Sequence, residues 1–507
     1  MKKITSVFIA SFILTILFIL WGAIAPKNLE SVSGAAQDFL QTNFGWFYLI
    51  SASVILLFVI YLAFSKYGNI KLGKDDDEPE YSRISWFAML FSAGMGIGLV
   101  FWGVAEPVSH YFVPPFGDPE TGEAAEAALQ FSFFHWGFHP WGIYALIALA
   151  LAYFKFRKDA PGTISATFYP ILGDRINGPI GKTIDTIAVF ATVFGVATSL
   201  GLGAIQINGG LSFLNGNIPN SFSTQIIIIV IVTILFMGSA ISGIGRGIKY
   251  LSNANIAVAV LLMFFFLFMG PTTFLLDLFT STIGKYIQTL PQISFRLTPF
   301  SEEGDEWIQG WTIFYWAWWI AWSPFVGTFI ARVSKGRTIR EFIIGVLAVP
   351  TIFSALWFSI FGGTGIHFER FKNAGIWDAM EQGDYTEIAL FQTLGELPLG
   401  TIATVLSIVL ISTFFITSAD SATFVLGMQT TNGLLNPPLS VKIVWGLIQA
   451  SAAAVLLWSG GLDALQTASI VAAFPFVFIL LLIMVSLQKG LSEDAAQEKK
   501  AKEKKVF

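Results

Sequence analysis

Apolar stretches of about bilayer length alternate with short polar connectors along nearly the whole chain. At ~20 apolar residues per crossing, twelve stretches are predicted as membrane-spanning helices: 6–25, 46–65, 85–106, 130–154, 184–206, 223–243, 253–275, 308–333, 340–362, 399–428, 441–460 and 464–487. The connectors leave no room for a separate soluble domain, so the fold class is an all-α integral membrane protein. Two stretches break the regular pattern. Residues 91–107, FSAGMGIGLVFWGVAEP, place Gly94, Gly96 and Gly98 at every second position. Residues 314–324, FYWAWWIAWSP, set Trp316, Trp318, Trp319 and Trp322 just ahead of Ser323-Pro324.

These irregular stretches open the third and eighth spans, so each begins a block of five (spans 3–7 and 8–12). Because five is odd, the blocks enter the membrane from opposite sides. That is the arithmetic of a 5+5 inverted repeat, in which interrupted first helices enclose a site at the bilayer midplane. Either break alone also serves helix packing, where small residues let backbones approach. The expected divisions are two N-terminal helices and a loop (1–84), a first repeat (85–275), a connector (276–306), a second repeat (307–488) and a short charged tail (489–507). Ile283, Tyr286, Ile287 and Leu290 give the connector the spacing of an amphipathic helix lying on the outer membrane face.

Composition supports the embedding: 54% of the 507 residues are hydrophobic and only 12% charged. Orientation follows from the basic residues. With the N-terminus in the cytoplasm, 24 of the 29 Lys and Arg fall inside, leaving Lys27, Lys285, Arg296, Arg370 and Lys372 outside. Both termini are therefore expected in the cytoplasm of a multi-pass cell-membrane protein. The N-terminal stretch has a signal-like Ala23-Ile24-Ala25, but its apolar core is too long and Pro26 follows, so it is read as a retained span. The net charge of −4 points to no nucleic-acid partner. With no cysteine, and with histidines only at 110, 135, 139 and 367, no metal centre or catalytic cluster is expected and no cofactor is called for.

The candidate chemistry lies at the two irregular stretches. Phe314, Trp318 and Trp322 are spaced i, i+4, i+8 and share one helical face, with Trp319 about 100° round from Trp318. These indoles fall near the middle of their span, away from the interfacial belts where Trp usually sits. Aromatic faces attract a quaternary ammonium at ~0.5–2 kcal/mol per ring, without a buried carboxylate. Packing in the core or against lipid is the alternative for a lone Trp. The glycine run permits unwinding, and freed amides and carbonyls suit a substrate carboxylate and Na⁺ respectively. A cationic head and an anionic end together describe a zwitterion such as glycine betaine. In the tenth span, FFITSADSAT (414–423) offers the hydroxyls of Thr417 and Ser418 as hard-cation ligands, with bonding back to their own helix as the alternative. Asp420 there lacks an evident partner.

GMGIGLVFWGVAEP (94–107), FFHWGFHPWGIY (133–144), ATVFGVATSLGLGAIQ (191–206), FYWAWWIAWSPFVGTFIARVSKGRTIREF (314–342) and FFITSADSAT together resemble the betaine/choline/carnitine transporter family, in matching order across nearly all the membrane region. Within it, the short terminal regions resemble the sodium-coupled glycine betaine carriers of Gram-positive bacteria. The resemblance implies a LeuT-type core made from spans 3–12 and a homotrimer. It assigns the substrate box to Trp318, Trp319 and Trp322, with Phe314 as a neighbouring gate and Trp136, Trp141 and Tyr144 as a second aromatic cluster. For Na⁺ it implies the carbonyls of Ser92, Met95 and Phe414 with the Thr417 and Ser418 hydroxyls. A second Na⁺ site would draw on Thr192 and Ser199, with Val196 standing where a hydroxyl residue is expected. Choline carriers of the family tend to carry aspartate at the position of Gly98, and sodium-independent carnitine exchangers lose the hydroxyl pair. Both comparisons favour a Na⁺-coupled importer of glycine betaine for osmoprotection. A carrier for choline, carnitine, ectoine or proline is the alternative within the family. A channel, a membrane enzyme and an ATP-driven pump are the competing classes, the last lacking any P-loop pattern. The tail beyond 489 is too short for regulation by a long folded C-terminal helix to be expected.

Overall fold

The computed structural model describes residues 4–94, 96–242, 245–383 and 385–506. Eighteen α-helices follow one another: α1 (Ser6–Ile24), α2 (Pro26–Phe64), α3 (Arg83–Gly94), α4 (Ile97–Phe112), α5 (Gly122–Trp136), α6 (Phe138–Ala152), α7 (Tyr169–Leu172), α8 (Pro179–Leu214), α9 (Phe222–Ser242), α10 (Gly245–Met269), α11 (Thr272–Ser294), α12 (Glu302–Ile308), α13 (Phe314–Val333), α14 (Ile339–Lys372), α15 (Ile376–Glu381), α16 (Ala389–Gly395), α17 (Gly400–Gln429) and α18 (Leu439–Val506). Among the described residues there is no strand, only an isolated antiparallel bridge between Lys71 and Thr338.

Nine helical stretches among the described residues, one of them α5 and α6 taken together, are long and apolar enough to cross a membrane. Twelve were expected, and three local features account for the smaller count. The third span is split into α3 and α4, each short of a full crossing. In α13 the many Trp and Tyr side chains lower the hydropathy of a helix that is otherwise long enough. α18 holds two expected spans, separated where Gly460 and Gly461 leave helical geometry, Gly461 at φ +60°. Contacts show that the chain turns back there. Trp445 packs on Phe8 and Val455 lies beside Gly22, climbing α1. Thr467 then donates to Gln37, Ile470 accepts from Tyr48 and Ser492 meets Tyr67, descending α2. The outer surface of the bundle is apolar, with Leu57, Ile231, Ile234 and Phe268 exposed as lipid-facing residues are.

Three further differences from the expected elements have physical causes. α2 starts twenty residues before its apolar stretch, because Pro26 occupies the first helical turn, where a missing N–H costs nothing. The fourth span is interrupted at Gly137 (φ −102°, ψ −128°), between α5 and α6. A Cβ there would stand 2.7 Å from the Tyr286 hydroxyl, which accepts the Phe138 N–H at 3.1 Å, so α11 holds the break from outside. Finally, the eighth span is not broken at Ser323-Pro324, and α13 runs straight through both residues. Proline cannot donate to the carbonyl four residues back, that of Ile320. The Ser323 hydroxyl donates to that same carbonyl at 2.8 Å and repairs the ladder. The irregular turn of this span comes earlier, as a π-helical stretch at Gln309–Ile313. Only the first of the two expected interrupted helices is therefore interrupted.

The connector region forms α11, with Tyr286 buried against Phe138 and Ile287 exposed. The C-terminal segment is also more ordered than expected, since α18 continues through the charged tail to Val506.

Candidate functional site

α13 lies at the centre of the bundle, packed against α6, α8 and α18. Its fit with α8 depends on Gly195, where a Cβ would come within 3.0 Å of the Trp322 backbone nitrogen. Its aromatic face is buried throughout: even Trp322, the most accessible of the predicted rings, is only 7% exposed. The indoles therefore point into protein and not into lipid.

The predicted rings come together, with one change of arrangement. Trp318 and Trp319 do not diverge around the helix but turn to stack on each other, with centroids 4.7 Å apart and planes at 16°. Phe314 stacks on Trp318 at 5.7 Å. Trp136, at the end of α5, meets Trp319 edge-on at 4.8 Å and Trp318 at 6.1 Å. Tyr144 lies 6.2 Å from Trp319 and 6.4 Å from Trp322, whereas Trp141 reaches the group only through Tyr144. The indole N–H groups of Trp318 and Trp322 and the Tyr144 hydroxyl are buried and have no partner among the described residues. Buried donors of this kind normally find an acceptor.

The glycine run meets this wall directly. α3 ends at Gly94 and α4 begins at Ile97, with Gly96 extended at φ −151°, ψ −156°. At Gly98 a Cβ would overlap the Trp318 ring at 2.5 Å and crowd Trp136 at 3.2 Å. The residue is glycine because two indoles rest against its backbone.

Of the predicted Na⁺ ligands, Met95 lies outside the described residues, as does the side chain of Ser92. Thr417 donates to the carbonyls of Thr413 (3.0 Å) and Phe414 (3.2 Å) and accepts from Asn255 at 3.3 Å. The Ser418 hydroxyl lies 3.9 Å from where a Gly96 Cβ would stand, which puts it at the broken helix. The Phe414 carbonyl and the Thr417 hydroxyl, in contact with each other, are uncharged oxygens of the type hard cations take, as is the Ser418 hydroxyl at the break. Thr192 and Ser199 are not brought together in the same way. They are seven residues apart on α8, about 10 Å along the axis, and bond to the carbonyls of Ala188 (2.7 Å) and Gly195 (3.3 Å). Thr192 also reaches Gln429 at 3.3 Å.

One polar cluster was not expected. Glu106 and His110, one turn apart on α4, converge with His135 of α5, all fully buried. Two of the four histidines that look scattered in sequence, His110 and His135, are therefore brought together with Glu106, and these three residues are spaced closely enough to hold a metal ion. Both Glu106 oxygens are already occupied. Oε2 accepts from Trp136 Nε1 (2.8 Å) and the Tyr315 hydroxyl (2.5 Å), and Oε1 faces His135 Nδ1 (2.7 Å) and His110 Nε2 (3.3 Å). His135 Nε2 meets Thr312 Oγ1 at 2.9 Å, giving a hydroxyl–imidazole–carboxylate relay buried behind the aromatic wall. The available signal was Glu106 itself, since an ionisable residue inside an apolar span marks a site by default. Of its four partners only His110, one turn on, is joined to it by spacing, since His135, Trp136 and Tyr315 lie 29, 30 and 209 residues away.

Comparison with known proteins accounts for this architecture. Residues 6–496 match the betaine/carnitine/choline family transporter. The chain is 57% identical over 502 residues to the glycine betaine transporter OpuD of Bacillus subtilis, covering 99% of this chain and 97% of that one. It is 46% identical over 501 residues to an ectoine/hydroxyectoine transporter of Virgibacillus pantothenticus (98% of each chain). It is also 43% identical over 493 residues to a glycine betaine transporter of Acinetobacter baylyi (97% and 74%). With an all-helical fold, apolar crossings and an aromatic site at its centre, this chain belongs to the betaine/carnitine/choline transporter family and is a membrane transporter, not an enzyme.

Proposed function

We propose that the protein imports glycine betaine by Na⁺-coupled symport, as an osmoprotective carrier that opens alternately to the two sides of the membrane. The observation that carries this reading is the group of buried rings (Trp136, Tyr144, Trp318, Trp319 and Trp322), packed through Trp318 and Trp136 on Gly98, with three donors that have no partner among the described residues. The ring faces suit a methylated onium. The donors, with the amides at the break, suit the carboxylate at the other end of the same molecule. Gly98 supports a zwitterion over a bare cation, because the space beside it is filled by Trp318 and leaves no room for an acidic counter-charge. Relatives named for glycine betaine at 57% and 43% identity support the same substrate. The relative named for ectoine and hydroxyectoine makes those compounds the second reading. Na⁺ coupling is supported by the Ser418 hydroxyl beside the break, with the Thr417 hydroxyl and Phe414 carbonyl in contact with each other on the same helix. The 5+5 repeat and a trimeric assembly are proposed with it.

The test is uptake of labelled betaine by purified protein in liposomes, with and without an inward Na⁺ gradient. Accumulation only with the gradient is expected, together with a raised half-saturating Na⁺ concentration in Ser418→Ala. Equal accumulation without Na⁺, or stronger competition by ectoine than by unlabelled betaine, would replace this reading.

A further inference from the structure

We propose that Glu106 is a positioning residue of the substrate site: its carboxylate sets the orientation of two wall rings, Trp136 directly and Trp319 through Tyr315 and His135, without touching substrate. The inference rests on the betaine reading above. A carboxylate has lone pairs for about four hydrogen bonds, and Glu106 faces four groups. Burying an anion at this depth is costly unless its lone pairs are filled by donors, and two imidazoles, an indole and a hydroxyl occupy them here.

Each partner leads to the wall. Trp136, held through its indole N–H, is the ring that touches Trp319, Trp318 and the Gly98 backbone together. Tyr315, held through its hydroxyl, stacks on Trp319 at 5.8 Å and 21°. His135 stacks on Tyr315 at 4.8 Å and accepts the Trp319 indole N–H at its backbone carbonyl, at 2.8 Å. Trp319 is thus fixed at its indole nitrogen by the residue whose side chain Glu106 holds. The indole N–H groups of Trp318 and Trp322, by contrast, have no partner among the described residues. The wall therefore has a tethered side, Trp136 with Trp319, and an untethered side, Trp318 with Trp322. Glutamine at 106 would present an NH₂ where donors already point. Trp136 cannot respond by accepting, because an indole nitrogen only donates.

The test is betaine uptake kinetics in proteoliposomes for wild type, Glu106→Gln, Tyr315→Phe and the double variant. In Glu106→Gln the KM for betaine is expected to rise about tenfold while the maximal rate stays within about threefold, since an unpaired buried donor disturbs ring geometry but not the transport cycle. Tyr315→Phe, which removes one hydroxyl and keeps the ring, is expected to raise KM about threefold, and the double variant to match Glu106→Gln, because both act through one carboxylate. A Glu106→Gln KM within about twofold of wild type, or multiplying effects in the double variant, would overturn the proposal. If Glu106→Gln is not recovered from the membrane, Tyr315→Phe decides alone: a wild-type KM refutes the role and a raised one supports it. Wild-type protein that shows no saturable betaine uptake would remove the substrate reading, and this inference with it. That outcome is distinct from a working carrier indifferent to residue 106.

Discussion

Gly98 and Trp322 show how closely the site is specified at single residues. Adding one methyl group at 98 would push into the Trp318 ring, which is a rigid plane stacked on Trp319 and cannot give way at a flexible end. Gly98→Ala is expected to weaken betaine uptake about tenfold in KM by displacing Trp318, and an unchanged KM would show that the wall does not rest on this backbone. Trp322 stands apart from the stacked pair, against Tyr144 and Phe325, with its N–H unpaired among the described residues. Trp322→Leu removes the ring face and the donor together. Uptake should fall to the level of empty liposomes while the protein remains in the membrane, and near-normal transport would exclude Trp322 from the site.

Among the helices, α13 reads most differently in sequence and in structure. Ser-Pro in an apolar stretch reads as a break, yet the side chain preceding the proline supplies the hydrogen bond that the proline cannot. Ser323→Ala should leave the Ile320 carbonyl unpaired and cost about 1 kcal/mol, seen as a lower unfolding temperature in detergent. Adding Pro324→Ala restores a backbone N–H and should recover most of that loss. A double variant no more stable than Ser323→Ala would refute the repair. The real interruptions, at Gly96 and Gly137, share a different logic. Each lies where a neighbouring element approaches the backbone, Ser418 of α17 at the first and Tyr286 of α11 at the second. Of these, only the alternating glycines of the first gave a local signal.

For the molecule as a whole, the C-terminal helix is tied to the loop after α2 and to the turn after α6. Asp494 accepts from the Tyr153 hydroxyl at 2.7 Å and Arg157 Nε at 3.3 Å, and pairs with Lys158. Arg157 also holds Asp75, and Lys74 holds Asp159, so the loop after α2, the end of α6 and the tail meet at one place. The Arg157 hydrogen bond keeps the Asp75 carboxyl below its usual range, so that arm is intact at neutral pH and releases only as pH falls through the lowered value. Asp494→Ala should cost about 1–2 kcal/mol and expose the tail beyond 489 to protease. Cleavage at the wild-type rate would show that the tail is held elsewhere.

Chain-wide hydrophobicity settled the membrane class, since lipid tolerates only backbones that satisfy their own hydrogen bonds. The helical period placed Phe314, Trp318 and Trp322 on one face, and the clustering of aromatic residues with glycines marked the candidate site. Sequence could not show that Trp318 and Trp319 stack, because ring orientation depends on the neighbours that Trp136 and Gly98 provide. Nor could it join Glu106 to His135 and Tyr315, since that union depends on how α4, α5 and α13 pack. Periodicity is local and survives in a single strand of letters. The hydrogen bonds that aim the rings link residues far apart in the chain, and only the folded bundle brings them within reach.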